Sequence, residues 1–278
     1  MAHGAGRRHS ANPGASARVE IEEALASWGR PLDSFQRILD FGCGCGRVVM
    51  WMERLAARSE LHGTDIDADA LDWAAHHFPY VQFHRNAELP PLPYPDGHFD
   101  LVFSCSVFTH IDERHQDLWL AELRRITKPG GYLLLSVHGE RAFRHIEAVA
   151  RNDGRDTAQW APTLETRGIL FVEDDGWAGV FPDWYHNTFH APWYVFAHWG
   201  RDLTIRAFLP RRNLDFQDYV LLERPSVDRP VDPPLVPPVA DLEARLTAIE
   251  QSSSWRLARV LSRIIRLGPT RRDPSRRQ

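Results

Sequence analysis

At 278 residues, with 43% hydrophobic and 25% charged side chains, the chain suits one ordinary α/β domain with appendages, or two small domains. A formal net charge of −4 gives no electrostatic reason to expect a nucleic-acid partner. No segment approaches the roughly 20 apolar residues of a membrane-spanning helix, the first residues lack the apolar stretch of a secretory signal, and Cys43, Cys45 and Cys105 have no ribbon, thioredoxin or disulfide-framework spacing, which points to a reducing cytosol.

Residues 1–17 lack periodicity and are expected to be disordered. Val19, Ile21, Leu25 and Trp28 lie on a rough helical stripe over 19–29, stopped by Gly29 and Pro31, so 1–32 reads as a leading segment. From there apolar runs alternate with helical patterns. Strands are expected at 37–41, 60–66, 81–85, 99–105 and 131–137, and helices at 46–57, 69–78 and 112–127. That alternation argues for βαβ units and a doubly wound, mostly parallel sheet.

After residue 139 the rhythm breaks. A helix over 140–152 leads into an irregular, aromatic-rich stretch, giving an insert at about 140–200. Its rings read equally as platforms for a sugar or apolar acceptor and as the core of a small cap. Strands at 203–208 and 217–223 bring the count to seven and close a domain spanning 33–225. A Pro-rich linker (226–240) then leads to an amphipathic helix and basic tail (241–278).

The strongest local pattern is Asp40-Phe41-Gly42-Cys43-Gly44-Cys45-Gly46, between a strand and a helix. Glycine permits positive φ and lets a ligand approach bare backbone, at the end of the sheet where ligands bind in open α/β folds. The dinucleotide fingerprint fails, because Arg47 stands where its last Gly or Ala belongs. Asp40 would repel a pyrophosphate and favour an ammonium group. Asp65, at the end of the second strand, is placed to accept from both hydroxyls of a ribose, and Ile66 to cover an adenine face. Cys43 and Cys45 read as small packing residues, and no metal set is expected.

These pieces resemble the class I S-adenosylmethionine-dependent methyltransferases. The matching stretches are ILDFGCGCGRV (38–48), HGTDIDADAL (62–71), LPYPDGHFDLVFSCSVFTHI (92–111) and LRRITKPGGYLLLSVHG (123–139), with 201–224 matching more loosely. The resemblance implies a Rossmann-like fold and S-adenosylmethionine as cofactor. It implies that Asp40, Gly42 and Gly44 hold the methionine moiety with Cys43 beside them, that Asp65 holds the ribose, and that Ser104 lies near the sulfonium. Asn86 stands near where the family often has an acid contacting adenine, a departure from the pattern. Lys128-Pro129-Gly130-Gly131 would be the turn into the fifth strand.

Methyl transfer needs a positioned nucleophile, and an oxygen nucleophile can need a base. His110 and His138 are the candidates nearest the crevice, with His186 and His190 in the insert. The alternative for each is a hydrogen-bonded structural histidine. The segment IEQSSSWRLARVLSRIIR (249–266) resembles the endings of bacterial surface-polysaccharide enzymes, which implies a glycan or other small acceptor with a sugar hydroxyl as nucleophile. A basic amphipathic helix over 241–267 suits a peripheral membrane or glycosyltransferase contact in the cytoplasm, or docking on its own domain. Two other readings stay open: a non-catalytic methyltransferase-like scaffold and an NAD-dependent sugar-modifying enzyme.

Overall fold

The computed structural model describes residues 12–173 and 182–226. Residues 1–11, Trp177 and Phe181 of the insert, the linker beyond Ser226, and the helix and tail expected over 241–278 lie outside the described residues. The described residues hold nine strands: β1 Arg37–Phe41, β2 Glu60–Asp65, β3 Val81–Arg85, β4 Phe99–Ser104, β5 Thr127–Val137, β6 Ile169–Val172, β7 Asn187–His190, β8 Thr204–Asn213 and β9 Gln217–Glu223. Seven of them form one sheet in the order β3-β2-β1-β4-β5-β9-β8, in which only β9 runs against the others. The strand order reverses between β1 and β4, where a doubly wound sheet opens a crevice beyond its carboxyl ends.

The central strands are apolar on both faces because both faces are covered. Leu39, Phe41, Phe99, Val102, Leu133 and Leu135 enter one core with Trp119 and Leu123 of α3 (Glu113–Ile126). Ile38, Leu61, Leu101, Phe103 and Leu134 enter the other with Ile21 and Leu25 of α1 (Pro13–Ala26). Side chains cap the helices that follow β2 and β4: Asp67 accepts from the Ala70 amide at the start of α2 (Ala68–His77), and Asp112 from the His115 amide at the start of α3.

Three local expectations are corrected. The disorder expected over 1–17 does not extend to residues 12–17, because Asn12 caps α1 by accepting from the Gly14 amide at 2.9 Å and Pro13 fits the first turn. The buried stripe of α1 is Ala17, Ile21, Ala24 and Leu25, whereas Val19 and Trp28 face solvent; alanines at helical spacing gave little apolar signal. The stretch after the glycine loop is a 3₁₀ helix, Val49–Ala57, with no side-chain cap and two β-branched valines at its start.

The described part of the insert has regular elements where the sequence read as irregular. After α4 (Glu140–Asn152) come α5 (Trp160–Arg167), an antiparallel β6–β7 pair and α6 (Pro192–His198). Gly168, at φ +75°, ends α5, and a Cβ there would lie 2.5 Å from the Tyr194 Cβ. Phe143, Trp160, Leu170, Val172 and Phe189 form a separate small core, Tyr194 and Trp199 join the main core with Trp184 and Tyr185 against it, and Trp193 and Phe196 are left exposed. Among the described residues no helix is long and apolar enough to cross a membrane.

If α1 belongs to the domain core, Leu25→Ala, at a fully buried position, should cost about 2–5 kcal/mol in urea unfolding. Trp28→Ala, 45% exposed on the following turn, should cost less than about 1 kcal/mol. Equal, small losses would place the helix outside the cooperative unit.

Candidate active site

The loop after β1 is shaped by Gly42, Gly44 and Gly46, at φ +76°, +54° and +78°. The amides of Gly42 and Cys43 both donate to the Thr64 carbonyl, at 2.8 and 3.0 Å, which ties the loop to the end of β2. At Gly42 a Cβ would meet Val107 Cγ2 at 2.1 Å, so only glycine lets the loop pass under the segment after β4. Cys43 is buried, its sulfur close to Gly63, as a packing residue would be; Cys45 is exposed.

Two carboxylates flank this loop. Asp65 Oδ2 accepts from the Gly44 amide at 2.7 Å, and Oδ1 from the Asp67 amide at 2.9 Å. Each oxygen retains a second lone pair for a hydroxyl donor. Asp40, in the middle of the sheet beneath the loop, is 2% exposed, and its Oδ2 has no hydrogen-bond partner. Burial, and then the nearby Asp65 charge, push its carboxyl up from 3.8 to about 8, with Arg47 and the Val49 amide opposing. A buried carboxyl with no direct ion pair, one oxygen unbonded and its ionisation still disfavoured despite Arg47, is a group that an ammonium partner would complete.

The remaining residues expected to hold the cofactor lie around these two acids. Ile66 follows Asp65 and is 42% exposed, an apolar surface with nothing over it. The Asn86 amide donates to the Asp65 carbonyl at 2.9 Å, while its side-chain Oδ1 is buried and without a partner. Ser104 closes β4 with its hydroxyl buried and unpaired. Unpaired polar atoms on Asp40, Asn86 and Ser104, around a loop of positive-φ glycines, fit the polar and ionic groups of a sulfonium nucleoside amino acid.

Sequence reasoning missed Ser106 and Val107. Ser106 is held at φ +67°, a strained value for a non-glycine residue. Its amide donates to Ser136 Oγ and its hydroxyl meets the Gln217 side chain, which links the ends of β4, β5 and β9. No periodic or compositional signal marks such a position.

His110 and His138 come together, their rings 5.6 Å apart edge to face. His110 donates from Nδ1 to the His186 carbonyl at 3.1 Å and stacks on Tyr185 at 5.1 Å. Burial pushes His110 down to about 4, and burial with neighbouring imidazoles pushes His138 down to about 3, so both are neutral at pH 7. His190 is also neutral, pushed down to about 3 by burial, and meets Gln116 Oε1 at 2.9 Å. Tyr185 is pushed up to about 12, first by burial and then by the Asp65 charge, which puts this insert residue within electrostatic reach of the crevice. A cleft of about 990 Å³ lies apart from both aspartates, against α4, α5 and the Trp193 ring, with Arg141 and Arg211 on its walls.

Residues 39–135 match the family model described as a methyltransferase domain. These residues form a methyltransferase domain of the S-adenosylmethionine-dependent class. The domain spans β1 through most of β5 and contains every residue expected to hold the cofactor, whereas the insert, β8 and β9 fall outside it. Over 146 residues the chain is 30% identical to a malonyl-[acyl-carrier protein] O-methyltransferase of Hahella chejuensis, covering 48% of this chain and 51% of that protein. It is 30% identical over 101 residues to a fatty-acid O-methyltransferase of Mycolicibacterium smegmatis, covering 36% of each. The chain thus spans about half, or less, of the length of these curated relatives. A solved S-adenosylmethionine-dependent methyltransferase from Methanosarcina mazei shares the fold, with a TM-score of 0.50 at 19% identity over 68% of this chain and 92% of that one.

The ionisation of Asp40 should make cofactor binding pH-dependent. In the free chain its carboxyl holds a proton below about pH 8, and an ammonium partner must displace that proton. Affinity for S-adenosylhomocysteine should therefore fall as pH drops below 8, by up to about tenfold per pH unit. Asp40→Asn should bind weakly with a flat profile over pH 6–8 in calorimetry. By the same linkage, the parent fold should lose stability as pH rises from about 4 to about 8, since the unfolded chain gives up this proton first. A parent profile as flat as that of the Asn variant would remove Asp40 from the binding site.

Proposed function

We propose that the chain transfers the methyl group of S-adenosylmethionine to an oxygen atom of a small acceptor that is already ionised at neutral pH, such as a carboxylate. The observation that carries the donor half is the buried carboxyl of Asp40 beneath the glycine loop, its Oδ2 without a hydrogen-bond partner, with Asp65 alongside. Asp40 would neutralise the ammonium, the Gly42–Gly44 backbone would lie against the methionine chain, and Asp65 would accept from the ribose hydroxyls. Ile66 and Asn86 would meet the adenine, and Ser104 would lie near the sulfonium. The cofactor supplies an electrophilic methyl group; the protein's part is to aim the acceptor at it and exclude water.

The acceptor half rests on His110 and His138. Each is neutral and a weak base, at about 4 and about 3, which suits a nucleophile that has no proton to give up. An alkoxide from a sugar hydroxyl would need a base nearer neutrality. The relatives named for malonyl-[acyl-carrier protein] and fatty acids as O-methyltransferases agree with this choice. The sugar hydroxyl expected from residues 249–266 has no support among the described residues, and the same holds for membrane or glycosyltransferase contact through 241–267. The scaffold reading is disfavoured by the intact acidic pair, and the NAD reading by Asp40 and Arg47.

Methyl-labelled cofactor offered with fatty acids, malonyl thioesters and lipid-linked glycans tests this. Label should enter a base-labile methyl ester. His110→Ala should lower turnover by less than about tenfold with cofactor affinity unchanged, because general-base assistance is worth roughly 10²–10⁴ and is not needed here. Base-stable methyl ether on a glycan, with a loss of about 10² or more in that variant, would overturn the carboxylate assignment and make His110 the base.

A further inference from the structure

At the opposite end of the sheet from the glycine loop, three metal-ligating side chains meet. One carboxylate oxygen of Glu60 and one ring nitrogen each of His62 and His98 lie within 4.8 Å of one another. Glu60 and His62 belong to β2, and His98 immediately precedes β4; β1 lies between those two strands. Sequence spacing does not join His98 to the other two, which meet only because β2 and β4 flank β1 in parallel.

His62 is the unusual member. It is 4% exposed, and neither of its ring nitrogens has a hydrogen-bond partner. Its surroundings are the rings of His84, Tyr94, His98 and Phe99, with centroids 5.1 to 6.4 Å away. Buried imidazoles are nearly always hydrogen-bonded, because an unmade bond leaves the desolvation of the nitrogen uncompensated. A metal ion is the other partner an imidazole nitrogen accepts.

We propose that Glu60, His62 and His98 bind one divalent cation of the zinc type, clipping the start of β2 to the approach to β4. Two imidazoles and a carboxylate are a borderline donor set, favouring Zn²⁺ over the oxygen-seeking Mg²⁺ and Ca²⁺. The spread of the three atoms is wider than a closed shell around an ion bonded at about 2.0–2.2 Å. Glu60 is exposed and His98 only half buried, so these two side chains close onto the fixed His62. Water completes the coordination. Arg37 opposes binding, since its Nε lies 2.9 Å from Glu60 Oε2; the ion competes with this exposed pair and binds more weakly than in a closed structural zinc site. The site stands apart from the methyl-transfer crevice.

The test uses the full chain after chelator treatment. Calorimetry with Zn²⁺ should give one-to-one binding, Co²⁺ should give the visible absorption of a low-symmetry four-coordinate site, and Zn²⁺ should raise Tm. His98→Ala and Glu60→Gln should each weaken binding roughly tenfold or more and abolish the Tm shift, with circular dichroism reporting that each variant folds. Should His98→Ala not fold, the near-isosteric Glu60→Gln decides alone. A variant lacking the neighbouring exposed pair on α2, His76→Ala with His77→Ala, should bind as the parent does. Failure of the parent to bind, binding unaffected by the first two changes, or binding lost with His76 and His77 would each overturn the proposal.

Discussion

Two amides converge on the carboxylate of Asp65, those of Gly44 and Asp67, and the ligand end of the sheet depends on them. They fix the glycine loop against β2 and start the turn into α2 from one side chain. They also hold a second carboxylate close to Asp40, whose own carboxyl is buried and offset only in part by Arg47 and the Val49 amide. Like charges in a low-dielectric site cannot both ionise freely. The loop is therefore electrostatically incomplete without a cation, which selects the donor more sharply than shape does and excludes a pyrophosphate on charge alone.

The far wall of this end of the sheet is built by different means. The insert stacks Tyr185 on the partly buried His110 and helps bury His138 against the sheet. Burial removes their charge and weakens them as bases together, so the same packing that completes the cap narrows the chemistry beneath it. The two aspartates draw on the first parallel strands, whereas the insert rests partly on a small core around Phe189 and Trp160 and partly on the main core through Tyr185, Tyr194 and Trp199. That division fits a methyltransferase domain whose family match stops near the end of β5.

The sheet was legible because its strands are apolar runs between helices with a 3.6-residue period, and the cofactor residues because glycines and acids recur at fixed places around the first two strands. Asp65 was legible as an acid at a strand end, but not as the side chain that holds Gly44. The α1 face was obscured because half of its buried stripe is alanine. α5, β6 and β7 were obscured because elements of four to eight residues are too short to show a period, and β7 is buried throughout. Ser106 and the Glu60–His62–His98 group depend on which strands lie side by side in the sheet, information that no linear spacing holds.

The insert is joined to the sheet by main chain as well as by packing. The amides of His186, Thr188 and His190 donate to the carbonyls of His110, Thr109 and His138, at 2.7 to 2.8 Å. A cap stitched at the ends of two neighbouring elements cannot lift like a hinged cover without breaking those bonds. The described part of the cap is therefore held at a fixed height over the ends of β4 and β5 for as long as those three bonds are kept.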